Sequence, residues 1–138
     1  MIHRCALAVA LFIAIGGPAW AGEPAKVTVI LQASTTADGT PIAYPLTDKP
    51  EITAAIVEIP PGGETAMHKH PVPTFVYVME GVVDVPTEGG ETRHYKAGDA
   101  FLEVVNKIHK GVNKGDGPAR ALVIYIGEQG KTNMQPTQ

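Results

Sequence analysis

The chain has 138 residues, enough for one domain with a single core, and carries a formal net charge of −3 with its histidines neutral. Hydrophobic residues make up 44% and charged residues 18%, with no basic block anywhere, so nucleic acid is excluded as an expected partner. The one cysteine, Cys5, lies near the start and leaves the rest of the chain without a thiol, which removes disulfides, cysteine-based zinc sites and cysteine nucleophiles.

His3 and Arg4 precede an apolar run from Cys5 to Ile15, followed by Gly16-Gly17-Pro18 and the small-residue motif Ala19-Trp20-Ala21. This is the pattern of a secretory signal peptide over residues 1–21, and it predicts a periplasmic or secreted protein. The apolar run is well short of the roughly 20 residues that span a bilayer, so no membrane association is expected after cleavage. Residues 22–53 read as an N-terminal strand, Val27 to Leu31, and a polar, proline-rich loop or edge from Gln32 to Pro50.

From there to residue 126, short β-branched or aromatic runs alternate with Gly and Pro clusters, the rhythm of an all-β fold. Strands are expected at Ile52 to Ile59, Thr74 to Met79, Val82 to Val85, Thr92 to Tyr95, Ala100 to Val105 and Ala119 to Ile126. No helical periodicity extends beyond about two turns, and strands without covering helices imply a sandwich or a small antiparallel barrel. Residues 127–138 form a polar C-terminal tail, expected to fray from Gln129 onward.

Within these strands, His68 and His70 stand two apart, so their rings can face one side of an extended segment, as a metal ion would require. Two surface histidines in a turn-rich loop would give the same pattern. A third, His109, lies between Asn106 and Asn113, in a segment that a closed β-fold can bring to the same place. His94, in a turn-flanked strand, reads as a solvated side chain.

These residues resemble the motifs of the cupin superfamily, in its small single-domain form. Gly62, His68, His70 and Gly81 match G(X)5HXH(X)3-4E(X)6G in spacing, with Thr74 where the family has its metal-binding glutamate. Gly98, His109 and Asn113 match G(X)5PXG(X)2H(X)3N, with Val104 and Asn106 replacing proline and glycine. The resemblance covers about residues 54–126. It implies a cupin barrel, a double-stranded β-helix of jelly-roll type, with a divalent transition metal held by His68, His70 and His109. Iron, zinc, manganese, nickel and copper all remain open. It also implies a homodimer formed through outer sheet faces.

Loss of the motif carboxylate would leave the metal centre one unit more positive and favour an anionic ligand. Thr74 either hydrogen-bonds a metal-bound water or merely fills a strand position. Glu103 is in phase with Phe101, so it faces inward if Phe101 does, where it would orient a histidine, accept a proton or coordinate the ion. The alternative turns Leu102 inward and leaves Glu103 in water. Cupins with only three histidine ligands, including β-diketone-cleaving dioxygenases, resemble this chain in carrying a glutamate at that offset. In the strand after His70, either Phe75, Tyr77 and Met79 or Val76 and Val78 face in, and an inward Tyr77 would position substrate. The functional expectation is an exported dioxygenase-like metalloenzyme for a small enolate, diol or acid. The other readings are a non-catalytic cupin that binds a metal or small molecule, and a structural cupin without metal.

Overall fold

The computed structural model describes residues 23–137, so the expected signal peptide, including Cys5, lies outside the described residues. Eight strands follow one another: β1 (Pro50–Ile59), β2 (His68–Lys69), β3 (Thr74–Glu80), β4 (Val82–Val85), β5 (Arg93–Lys96), β6 (Ala100–Leu102), β7 (Ala119–Glu128) and β8 (Gln135–Pro136). No helix occurs among the described residues. Four strands form an antiparallel sheet in the order β1-β7-β3-β6, and β4–β5 and β2–β8 are two-stranded pairs. These ladders do not continue around into one closed cylinder, so the expected barrel is present only as packed, curved sheets.

Alternation along the strands builds the core. Ala119, Ala121 and Val123 of β7, Val76 and Val78 of β3, Ile59 of β1, Phe101 of β6 and Val83 and Val85 of β4 close on one another. Val78 is paired with Ala121 and Val76 with Val123 across the β3–β7 ladder. That register settles the side-chain phase of β3. Val76 and Val78 face in, whereas Phe75, Tyr77 and Met79 face out.

Two motif positions have a backbone reason. Gly81 has φ of 75° and lies against Pro118, whose carbonyl oxygen a methyl group there would meet at 2.5 Å. Only glycine fits. Asn106, where the family has glycine, is left-handed with φ of 59°, and asparagine tolerates that region better than other non-glycine residues. Its amide donates to the His70 carbonyl at 2.8 Å. Asn113 is fully buried and structural: its Nδ2 donates to the carbonyls of Ile59 (3.0 Å) and Gly117 (2.8 Å), tying the end of β1 to the turn before β7.

The expected strand at Val27 to Leu31 does not form. Val27 and Val29 are 86% and 71% exposed, and no neighbouring strand supplies a ladder, without which β-propensity has nothing to act on. The tail departs the other way. Residues expected to fray fold back as β8, which pairs with β2 through His68↔Pro136 and Lys69↔Gln135.

A clamp links the loop before β1 to the His109 segment. Lys107 Nζ donates to Asp38, Thr36 Oγ1 donates to the same carboxylate at 2.6 Å, and Ala37 N donates to Leu102 O at 2.8 Å. The Lys107 and Thr36 bonds hold the Asp38 carboxyl well below the ordinary carboxylate range, outweighing the small effect of burial. A folded pKa depressed below the unfolded value of about 3.9 adds stability above that pH and loses it as pH falls. Wild type should therefore lose urea-unfolding stability more steeply than Asp38→Asn between about pH 5 and pH 2, and the neutral-pH cost of the substitution should stay under about 1 kcal/mol, as for partly exposed ion pairs.

Candidate metal centre

The backbone places the histidines. His68 and His109 exchange both main-chain hydrogen bonds, N to O at 3.0 and 2.9 Å, so they are direct cross-strand neighbours. His70 lies on the same side of its segment as His68, and its backbone is pinned beside Val105 through the Asn106 amide. The three ring centroids are 4.7, 4.6 and 5.2 Å apart, and the residues are 7%, 2% and 1% exposed in chain order. One nitrogen from each ring falls within 4.8 Å of the others.

The carbonyls behind the rings decide their protons. Nδ1 of His68 lies 2.7 Å from Ala66 O, Nδ1 of His70 2.8 Å from Asn133 O, and Nδ1 of His109 2.9 Å from Lys107 O. A carbonyl only accepts, so each Nδ1 carries the hydrogen and each neutral Nε2 presents a lone pair. His68 Nε2 and His70 Nε2 then face each other at 3.1 Å with no proton between them. Glu103 Oε2 adds a fourth acceptor, 2.8 Å from His70 Nε2 and 3.5 Å from His109 Nε2. Neither approach has hydrogen-bond direction, and both Glu103 Oε2 and His109 Nε2 are buried without a partner.

A cation resolves this arrangement. Bonds of about 2.0–2.2 Å from histidine and carboxylate to one ion place neighbouring donors about 2.8–3.6 Å apart, and the three contacts at 2.8, 3.1 and 3.5 Å fall within that range. The residues present therefore fit a divalent transition metal, with His68, His70, His109 and Glu103 facing it.

Electrostatics follow the same geometry. Burial disfavours the His68 imidazolium, and the neighbouring His109 and His70 charges add to this, lowering its pKa despite the Ala66 contact. For His109 burial acts in the same direction, but the Glu103 carboxylate prevails and raises the pKa. Burial pulls Glu103 upward, and positive charge beside it, on His109 and His70 or on an ion held between them, acts the other way and lowers its pKa.

The other sequence candidates fall elsewhere. Thr74 is fully buried, but its hydroxyl donates to Val72 O at 3.1 Å and it does not line the cavity beside the histidines. Tyr77 is on the outer face of β3, opposite the core valines, and is not in position to meet a ligand inside. The phase was unreadable across Pro71 and Pro73, whose dihedral constraints break the strand after His70. Glu103 is on the inward side with Phe101. His94 is exposed, with Nδ1 2.6 Å from Asp84 Oδ1.

Sequence reasoning missed Tyr125 and Asn133. Tyr125 continues the inward parity of Ala119, Ala121 and Val123, a signal present in the sequence, and its ring centroid is 5.4 Å from that of His70. Burial and the Glu103 charge raise its pKa, so the phenol stays protonated. Beside the histidines a cavity of about 180 Å³ opens between the sheets. His68, His70 and Glu103 form its polar end, and Val57, Val76, Phe101, Val123, Tyr125 and Met134 supply most of an apolar wall that contains no Lys or Arg.

A cupin domain model matches residues 55–125, half of the sequence. The chain belongs to the cupin family. Germin-like protein 1-1 of Oryza sativa subsp. japonica is 30% identical over 79 residues, 54% of this cupin and 37% of that protein. Oxalate decarboxylase of Bacillus subtilis, a protein with Mn(II) centres, is similar in structure with a TM-score of 0.54 and 26% identity over 62% of this cupin and 23% of that chain. A double-stranded beta-helix protein of Klebsiella pneumoniae subsp. pneumoniae shares the fold, with a TM-score of 0.53 and 21% identity over 69% of this cupin and 84% of that chain. This cupin spans well under two thirds of the length of the first two.

Glu103→Gln keeps the size of the side chain and removes its charge, so it should weaken Zn(II) or Mn(II) binding by about 10–100-fold, as loss of a partner at a metal site typically does, in a chelator competition assay. His109→Ala should reduce bound metal to well below one ion per chain by elemental analysis.

Proposed function

We propose that this cupin is an exported metalloenzyme of dioxygenase type, whose substrate presents a monoanionic oxygen head, an enolate or a carboxylate, on a small apolar body. The observation that carries the reading is a cluster of four donor atoms, from His68, His70, His109 and Glu103, three of whose residues, His68, His70 and Glu103, line an apolar cavity. A bound divalent ion would supply Lewis acidity toward an oxygen ligand and, if redox-active, a site for dioxygen.

The protein's own residues set the substrate class. Three neutral imidazoles and one carboxylate leave a divalent centre with a single positive charge, which favours a single negative charge on the ligand. A carboxylate beside a divalent ion is a weak base, since the opposite charge favours its ionised form and efficient proton abstraction needs a pKa near the working pH. Glu103 therefore fixes charge and orientation, and the substrate enters already ionised. No Lys or Arg lines the cavity to meet a second anionic group, so a dianion is disfavoured. An apolar cavity of about 150 Å³ is known to accept benzene, and about 180 Å³ suits a body of that size. Apolar burial holds this body, and the Tyr125 hydroxyl is a neutral donor beside it. A diol, which asks for more polar partners, fits less well than an enolate or acid.

Protein purified from the exported fraction should contain a stoichiometric metal ion and consume oxygen with small β-diketones or aromatic monocarboxylates, but not with dicarboxylates. Stoichiometric metal with no uptake on any of these would favour the alternative, a binding or sensing cupin that uses the same cavity.

The open face of the four-stranded sheet supports a homodimer. Rows such as Ile56↔Leu122↔Tyr77 and Ala54↔Ile124↔Phe75 are apolar, and Ile52 and Ile56 are 62% and 46% exposed. Leu122→Lys should convert a dimer to a monomer in light scattering after size exclusion, with metal content unchanged.

A further inference from the structure

The partners of the three histidines are not equivalent. His68 and His109 are oriented by carbonyls two residues earlier in their own segments, Ala66 and Lys107. His70 depends on Asn133, 63 residues away, in the tail. We propose that the segment from Lys131 to Thr137 is a strap that positions His70 for metal binding, with Asn133 as the positioning residue.

Independent features converge on the strap. β8 pairs with β2 beside the histidines, and Thr137 N donates to Met67 O at 3.0 Å, so both flanks of His68 are tied to it. Thr132 Oγ1 donates to Met134 O at 2.6 Å and stabilises its bend. Asn133 Nδ2 donates to Thr53 Oγ1 at 3.2 Å, which fastens the strap to β1. Asn133 Oδ1 is buried against Gly127, where any side chain would collide with it. A glycine inside a long strand is otherwise unfavourable, and here it marks the close approach of another segment. The next residue, Met134, lines the cavity. The strap thus holds the ring and walls the chamber.

Among the described residues, none beyond β7 belongs to the hydrophobic core, and the strap is held by hydrogen bonds to β1 and β2 rather than by core packing. With the Asn133 carbonyl in place, the His70 proton is held on Nδ1 and the Nε2 lone pair is free for the ion. Without it, that ring is free to rotate and to place the proton on Nε2, where it blocks coordination.

The test uses the full chain carrying Gly127→Ala, and a second variant ending at Gly130. Nitrogen-15 imidazole spectra of metal-free protein at alkaline pH read the tautomers, and Co(II) competition reads the affinity. The expected result is a shift of His70 alone toward the Nε2–H tautomer, with His68 and His109 unchanged, and a Co(II) affinity lower by about 10–100-fold. An unchanged His70 signal in both variants overturns the proposal. A shift shared equally by all three rings overturns it too, because that is general loosening of the fold. Since the spectra are taken without metal, a failure of the strap is distinguishable from a failure of the enzymatic reading.

Discussion

The structure turns on a constraint set by carbonyl groups behind the imidazoles. A backbone oxygen accepts and never donates, so each Nδ1 keeps its hydrogen and three Nε2 lone pairs, with a carboxylate oxygen, are turned on one another in a buried space. Each buried polar atom without a partner costs about 1–3 kcal/mol. Such a cluster is unfavourable by itself and favourable around a cation, so ion binding and the ordering of this end of the fold are linked. The sheets resist collapse of the cluster because His68 and His109 are locked together by two main-chain hydrogen bonds.

The same linkage accounts for the missing motif glutamate. At Thr74 the side chain is turned back onto Val72, and the negative charge comes from Glu103 at the end of β6. A donor has changed strand. The centre regains the charge that substitution of threonine for glutamate removed. Expecting a more cationic centre therefore followed from the motif alone, and placing Glu103 beside the rings corrects it. The exchange is short-range, because β3 and β6 are paired and Glu103 N donates to Thr74 O at 2.9 Å. The two positions are backbone neighbours.

That adjacency also shows what was legible in the sequence. Alternation in β7 and the spacing of glycines and histidines contained the core face and the cluster, since both depend on local period and chain reversal. The phase of β3 was lost at Pro71 and Pro73, and only pairing with β7 assigns Val76 and Val78 to the interior. Tyr125 was readable by parity, whereas Tyr77 was a candidate only while the phase of β3 was open. Nothing in the composition of residues 129–137 marks a structural segment. β8 has two residues and no hydrophobic pattern, and it exists through main-chain bonds to β2. Val27 to Leu31 is the converse, rich in strand-forming residues but without a neighbour to pair with.

On the proposed function, specificity would follow from where polarity stops. All the charge in the cavity lies at the histidine end, and the remaining wall is apolar apart from Thr65 and the Tyr125 hydroxyl. A ligand with a second charged group would have to bury it without a partner, a penalty larger than the gain from an equal area of apolar contact. A hydrocarbon body gains about 25 cal/mol for each Å² it removes from water. On the proposed function, discrimination between one-headed and two-headed anions would need no dedicated binding residue. It arises from the absence of a cation opposite the metal-facing end, and a single apolar-to-Arg replacement in that wall would be the minimal change toward accepting a dianion.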